Sequence, residues 1–292
     1  MESRGLVVPD EPATLRLLAE ANYYRLRGYW LTLESDGRFR EGTTFDDVWD
    51  IYTLDSGLRL WLWGAIAPIE IKLRTSFSYH VGRALGPLGH EDPANYDDAE
   101  AHSKSMGSFH RERDRALRDG VPCVKHNMGK YGSLPVWAAV EVMSMGTVSR
   151  LYGNLSAKAA YEGGPSVKSA VANDFGVKAT YLVSWLRHLT YVRNICGHHN
   201  RFYNRMMTSR PKMLKMDSGL ARCGKQFLTF VILMRIYEQS WPEAWSDRYD
   251  GLARILEGHG NASLTPMGFP EDWRDVLKLA ATNEDEEAED GR

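Results

Sequence analysis

The stretch T-T-F-D-D-V-W-D-I-Y-T-L-D-S-G-L-R-L-W-L-W-G-A-I-A-P-I-E-I-K-L-R-T, residues 43–75, decides the fold class. Val48, Ile51, Tyr52, Asp55, Leu58, Leu62, Ala65, Ile69 and Leu73 step at three and four, the repeat of a helix with one buried face. Thr43 or Thr44 is placed to cap it, and Asp46 and Asp47 fall in the positively polarised first turn. Two readings stay open: one long helix, or two joined near Pro68, where a missing amide favours a kink. Glu70 and Arg74 are four apart on one face. They form either a surface ion pair or a buried pair that orients other groups.

Nothing outside this stretch alternates with period two, so the expectation is an all-α fold. Residues 1–11 read as a flexible lead-in, and Pro12 suits a helix first turn. Leu15, Leu17, Leu18, Ala19 and Tyr23 lead into N-Y-Y-R-L-R-G-Y-W-L, residues 22–31, read as a core helix with Arg25 and Arg27 in solvent. Ser35 to Gly42 reads as a polar turn, and Gly86 to Pro93 and Gly120 to Gly132 as loops. Residues 97–119 read as an exposed charged helix, a solvated face or an RNA contact.

Ser133 and Pro135 mark the next start, with Val136, Trp137, Val140, Met143 and Val148 as a buried stripe. Glu141 lies within it and either holds a basic group or points outward. Ser156 and Ser166 are candidate caps, and Gly176 a helix stop. Thr180 opens a helix packed by Leu182, Val183, Leu186, Leu189, Tyr191 and Val192. Residues 219–239 read as an apolar helix, 270–280 as a short one, and 281–292 as an acidic disordered tail. Residues 12–280 then form one helical domain or two closely packed lobes.

The composition narrows the function classes. A net charge of −2 over 292 residues excludes a general polycation, so nucleic acid would need a local basic patch. Cys123, Cys196 and Cys223 form no C-x-x-C pair, which fits a reduced, cytoplasmic setting. The first residues lack a signal-peptide core, and the apolar run Phe227–Met234 falls well short of the roughly 20 residues a bilayer needs. No membrane partner is expected.

The chemistry concentrates in R-H-L-T-Y-V-R-N-I-C-G-H-H-N-R-F-Y-N-R, residues 187–205. Histidine exchanges protons near neutral pH, and arginine offers a phosphate a permanent, planar set of donors. Such a set can hold a phosphodiester and move its protons. Arg193 and His198, five apart, would sit about 140° apart on an unbroken helix. Asn194 and His198 share a face, and Gly197 is placed to end the helix and bring Arg193 closer. His198 and His199 diverge by about 100°, and no H-x3-H or carboxylate at zinc spacing accompanies them, so no metal and no other cofactor is expected. Nothing beside Cys196 marks a nucleophile.

The strip V-R-N-I-C-G-H-H-N-R-F-Y-N-R resembles the signature of the Abi-like family, abortive infection proteins of the AbiD and AbiF type, within the HEPN superfamily and its R-x4-6-H mark. N-Y-Y-R-L-R-G-Y-W at 22–30, A-I-A-P-I-E-I-K-L-R-T at 65–75 and L-P-V-W-A-A-V-E-V-M-S-M-G-T-V-S-R-L-Y at 134–152 resemble further family blocks in order. The likeness covers about residues 15–240. Gly197 departs from it, since alanine is usual there.

The resemblance implies a HEPN-type helical bundle acting as a metal-independent RNA endonuclease, with two strips meeting in a homodimer or higher homo-oligomer. It also implies phage defence or a toxin-like role, and for some members a structured regulatory RNA. Carried to this chain, Arg193 and His198 are the catalytic pair, with Asn194 beside them. Arg201 and Arg205 are expected to guide the RNA backbone. His199, Arg187, His188, Glu141, Glu70, Arg74 and Arg25 are expected to bind RNA or support the site. The rival readings are an RNA-binding module without catalysis, in which residues 22–31 stack bases, and a structural dimer.

Overall fold

The computed structural model describes residues 1–223, 225–260 and 262–278, and these residues make an all-α protein. The helices are α1 (Glu11–Ala21), α2 (Tyr23–Leu26), α3 (Phe45–Leu85), α4 (Ala99–Arg118), α5 (Pro122–Tyr131) and α6 (Val136–Val142). Then follow α7 (Met145–Asn154), α8 (Val167–Asp174), α9 (Ala179–Gly197), α10 (Phe227–Ser240), α11 (Pro242–Glu257) and α12 (Trp273–Leu277). The chain divides into two compact units. One holds Met1–Trp63, Ile195–Thr208 and the described residues from Leu220 on; the other holds Gly64–Asn194 and Ser209–Gly219. Helices α3 and α9 contribute residues to both.

Helix α3, 41 residues long, is a single element that runs through Pro68. Thr44 starts it with a reciprocal cap: its amide donates to Asp47 Oδ2 at 2.8 Å, and Asp47's amide donates to Thr44 Oγ1 at 3.3 Å. Tight packing over ten turns outweighs the one hydrogen bond that Pro68 removes. In the unit that begins at Met1, Trp30, Tyr29, Phe45, Phe202, Tyr203, Tyr237 and Trp245 are fully buried. Helix α10 is buried almost all round and packs on α11 and α12. In the unit that begins at Gly64, Phe77, Phe109, Tyr152, Phe175 and Trp185 form the core, and α4 packs on α6 and α7.

Several expectations need correction. Residues 1–11 are not loose. Val7's amide donates to the Thr43 carbonyl, Phe45's amide donates to the Val7 carbonyl, each at 2.9 Å, and Leu6 is buried. The polar turn after Leu33 is a small hairpin in which Glu34–Ser35 pairs with Arg38–Phe39. Its turn residues, Asp36 and Gly37, both take positive φ, which an Asp-Gly pair accepts readily. Gly120 to Gly132 is not a loop but contains α5, opened by Pro122 and closed by Gly132 at φ 69°.

Helix α4 is exposed on one face only, since His102, Ser105, Met106 and Phe109 are buried. Trp137 is 56% exposed, and Glu141 points to solvent. The chain breaks at Met143 between α6 and α7, which shifts the phase of the expected stripe. Ser166 caps α8, but Ser156 caps only a turn. Helix α11 was not anticipated, although Pro242 in its first turn and the buried Trp245, Leu252 and Leu256 mark it. The apolar helix expected at 219–239 begins only at Phe227. The expected tail at 281–292 lies outside the described residues.

Candidate active site

Arg193 and Asn194 lie in the last turns of α9, and His198 follows the helix directly. The terminus has the hydrogen bonds of a Schellman motif. His199's amide donates to the Cys196 carbonyl at 3.1 Å, and Asn200's amide to the Ile195 carbonyl at 2.9 Å. The left-handed position is His199, at φ 53°. A side chain there costs of order 1 kcal/mol that glycine would avoid. Arg25 Nη2 donates to the His199 carbonyl at 2.5 Å and lies 5.9 Å over the Tyr52 ring, which holds the strained residue in place.

On the other unit, Glu70 stands between two arginines. Its Oε1 accepts from Arg74 Nη2 at 2.5 Å, and its Oε2 is 3.5 Å from Arg193 Nε. Arg74 Nη1 also donates to the carbonyls of Val140 and, at 2.7 Å, Met143. The pair at 70 and 74 is half-buried and faces Arg193, whose side chain stays 33% exposed. The structure thus brings Glu70, Arg74 and Arg193 together. Glu141 does not join them; the backbone on either side of it receives Arg74 instead.

The other expected residues separate into those the fold engages and those it leaves exposed. His188 is fully buried, with Nδ1 2.8 Å from the Ser209 carbonyl, so it supports the fold and cannot touch RNA. Arg201 donates to the Gly28 carbonyl, and burial lowers its pKa. Arg205 is half-buried, and its carbonyl accepts from Gln226 Nε2 at 2.8 Å. Arg187, Asn194, His198 and His199 are exposed. No hydrogen bond to the side chains of Asn194 or His198 occurs among the described residues.

Sequence reasoning missed the group that holds the segment after His199. Asp55 is fully buried on α3. Its Oδ1 accepts the amides of Phe202 at 3.0 Å and Tyr203 at 2.6 Å; its Oδ2 accepts the Tyr29 hydroxyl at 2.7 Å and the Arg59 guanidinium. Burial raises the Asp55 carboxyl, and Arg59, Tyr29 and the two amides oppose that rise. The signal was a lone carboxylate on an apolar stripe, with an arginine four residues on. Cys196 is buried, and burial pushes its thiol up to about 12, which removes it as a nucleophile near neutral pH. Among the described residues no three of histidine, cysteine, aspartate or glutamate are grouped to hold a metal ion. No described helix is long and apolar enough to cross a membrane.

Two expectations follow. Burial lowers His188 to about 4 in the fold, whereas an unfolded histidine titrates near 6.5. The unfolded state therefore gains the proton first, and stability falls as pH drops from about 6.5 to 4, by at most about 3 kcal/mol from this group. Denaturant titrations across this range should show a shallower slope for His188→Asn, which keeps a donor toward Ser209 without titrating.

The second expectation concerns Gly197. A methyl group there would lie 2.8 Å from Trp63 Cζ3, so alanine needs the indole to move. Gly197→Ala should cost about 1 kcal/mol, overpacking outweighing the helix preference for alanine. Adding Trp63→Leu should reverse the sign. A thermal double-mutant cycle checks this, and additive effects would contradict it.

The family model described as Abi-like protein matches residues 16–204. No curated protein and no solved structure matches the chain.

Proposed function

The chain belongs to the Abi-like family, and from that premise we propose that it is a metal-independent RNA endonuclease acting in abortive infection, a form of phage defence. The observation that supports the reading is a division of labour along one short stretch. Arg193 is positioned by Glu70, which Arg74 holds in turn, while Asn194 and His198 are exposed and their side chains take no hydrogen bond among the described residues. A positioned cation and an exposed imidazole five residues apart in the sequence suit phosphodiester chemistry.

In the proposed reaction His198 takes the proton of the ribose 2′-hydroxyl. The 2′-oxygen bonds to phosphorus, and the bond to the 5′-oxygen breaks. The leaving 5′-oxygen takes a proton from an acid, supplied by His198 of a second copy, and a 2′,3′-cyclic phosphate remains. Arg193 balances charge growing on the phosphate, and Asn194 orients the imidazole or the substrate. No resident metal or cofactor takes part. The need for a 2′-hydroxyl makes the activity specific to RNA.

The test is cleavage of a mixed RNA pool, and of DNA of matching sequence, in EDTA. RNA products with cyclic phosphate ends and intact DNA are expected; metal-free DNA cleavage would refute the mechanism. A second reading, an RNA-binding module without catalysis, is favoured by Tyr24 at 79% exposure and Tyr23 at 41%, beside Arg25 and Arg27. It predicts bound, uncut RNA.

A further inference from the structure

Helix α4 carries a row of cations that the proposed chemistry does not use. Lys104, Arg111, Arg115 and Arg118 are spaced seven, four and three apart, so their directions on the helix fall within about 60° of one another. All four are exposed. The opposite face, with His102, Met106 and Phe109, is buried, so packing fixes which way the row points. Lys104 pairs with Glu100, but among the described residues Arg111, Arg115 and Arg118 form no ion pair.

Two of the neighbouring acids are engaged elsewhere. Glu112 accepts the Ser144 amide at 3.1 Å, and Asp114 binds Arg113 at 2.8 Å. Like charges three and four apart on a helix repel, so the fold carries this row at a loss. The helix dipole accounts for Arg115 and Arg118 in the last turn but not for Arg111.

We propose that this row is a docking surface for the sugar-phosphate backbone of an RNA strand, an inference that rests on RNA being the substrate. Arginine forks fit phosphate oxygens. The row is about 21 Å long, the rise of up to six stacked nucleotides at about 3.4 Å each. Its helix is also tied to the site. The Ser144 amide that holds Glu112 is adjacent to the Met143 carbonyl that holds Arg74, and Arg74 shares Glu70 with Arg193. The contact reads charge and not base identity, so the row contributes affinity and the 193–198 stretch contributes chemistry.

The test uses the full chain and a 30-nucleotide 2′-O-methyl RNA, which keeps every phosphate and lacks the attacking hydroxyl. Binding is measured against salt for the wild type, for Arg111→Ala/Arg115→Ala/Arg118→Ala, and for the same triple change to lysine. The alanine variant should bind about 10-fold or more weakly at 0.1 M salt, with a log–log salt slope shallower by about two. The lysine variant should keep the slope, and single-stranded DNA should compete. On cleavable RNA the alanine variant should raise KM and leave kcat unchanged.

Equal slopes for wild type and alanine variant would overturn the proposal. So would unchanged RNA binding with weakened binding to phosphatidylserine vesicles, which would assign the row to a membrane surface. Absence of cleavage alongside the expected slopes would remove the nuclease reading and leave this surface standing.

Discussion

His198→Ala should leave RNA bound and uncut. Its ring is exposed, lies just past the end of α9 and is engaged by no described residue, so its loss removes chemistry without opening the core. A positioned acid–base group is worth about 10²- to 10⁴-fold. If two copies supply base and acid, the variant loses both roles at once, and the fall should reach the upper end of that range. Arg193→Ala should cost a similar factor by removing charge stabilisation, about 10²- to 10³-fold.

The two changes differ in their side effects. Arg193 balances Glu70, so its loss also unsettles the Glu70–Arg74 pair and should lower the melting temperature slightly, whereas His198→Ala should not. Rates on a defined RNA with melting curves for both variants decide the matter. Full activity in His198→Ala would end the nuclease assignment to this residue.

Asp55→Ala should be the most damaging single change to the fold. Four donors converge on this carboxylate, and Arg59 beside it is only 6% exposed. Removing one partner of a buried ion pair leaves the other charge uncompensated, at a cost of about 3–5 kcal/mol. The Phe202 and Tyr203 amides lose their acceptor as well. Replacing both charges, Asp55→Leu with Arg59→Met, should recover part of the loss, because the desolvation penalty disappears with them. Denaturant midpoints of the single and double variants test this; a loss under 1 kcal/mol for Asp55→Ala would show that Asp55 does not hold the segment.

How far the sequence could be read depended on where each signal lay. Helix α3 was legible because its apolar positions repeat over ten turns and its cap is local. Helix α5 was not, since P-C-V-K-H-N-M-G-K-Y buries only Val124 and so shows no stripe; only Pro122 and Gly132 mark its ends. Glu141 could not be placed because Trp137, four residues before it on the same face of α6, reads as buried but is 56% exposed. The spacing of Glu70 and Arg74 was visible, but that Glu70 also faces Arg193 is a contact between distant segments that no local pattern encodes. The same holds for Asp55, whose two amide partners lie 147 and 148 residues away.

The Asp55 hub also sets a schedule for synthesis. The segment after His199 is fixed by Asp55 from early in the chain, by Gln226 Nε2 on the Phe202 carbonyl, and by the Tyr203 hydroxyl on the Ser263 carbonyl. A nascent chain stalled anywhere between residues 205 and 225 has already made Arg193 and His198 but lacks Gln226. Until Ser263 leaves the ribosome, the Tyr203 hydroxyl also lacks its acceptor. Maturation of this segment is therefore delayed until most of the protein has been translated.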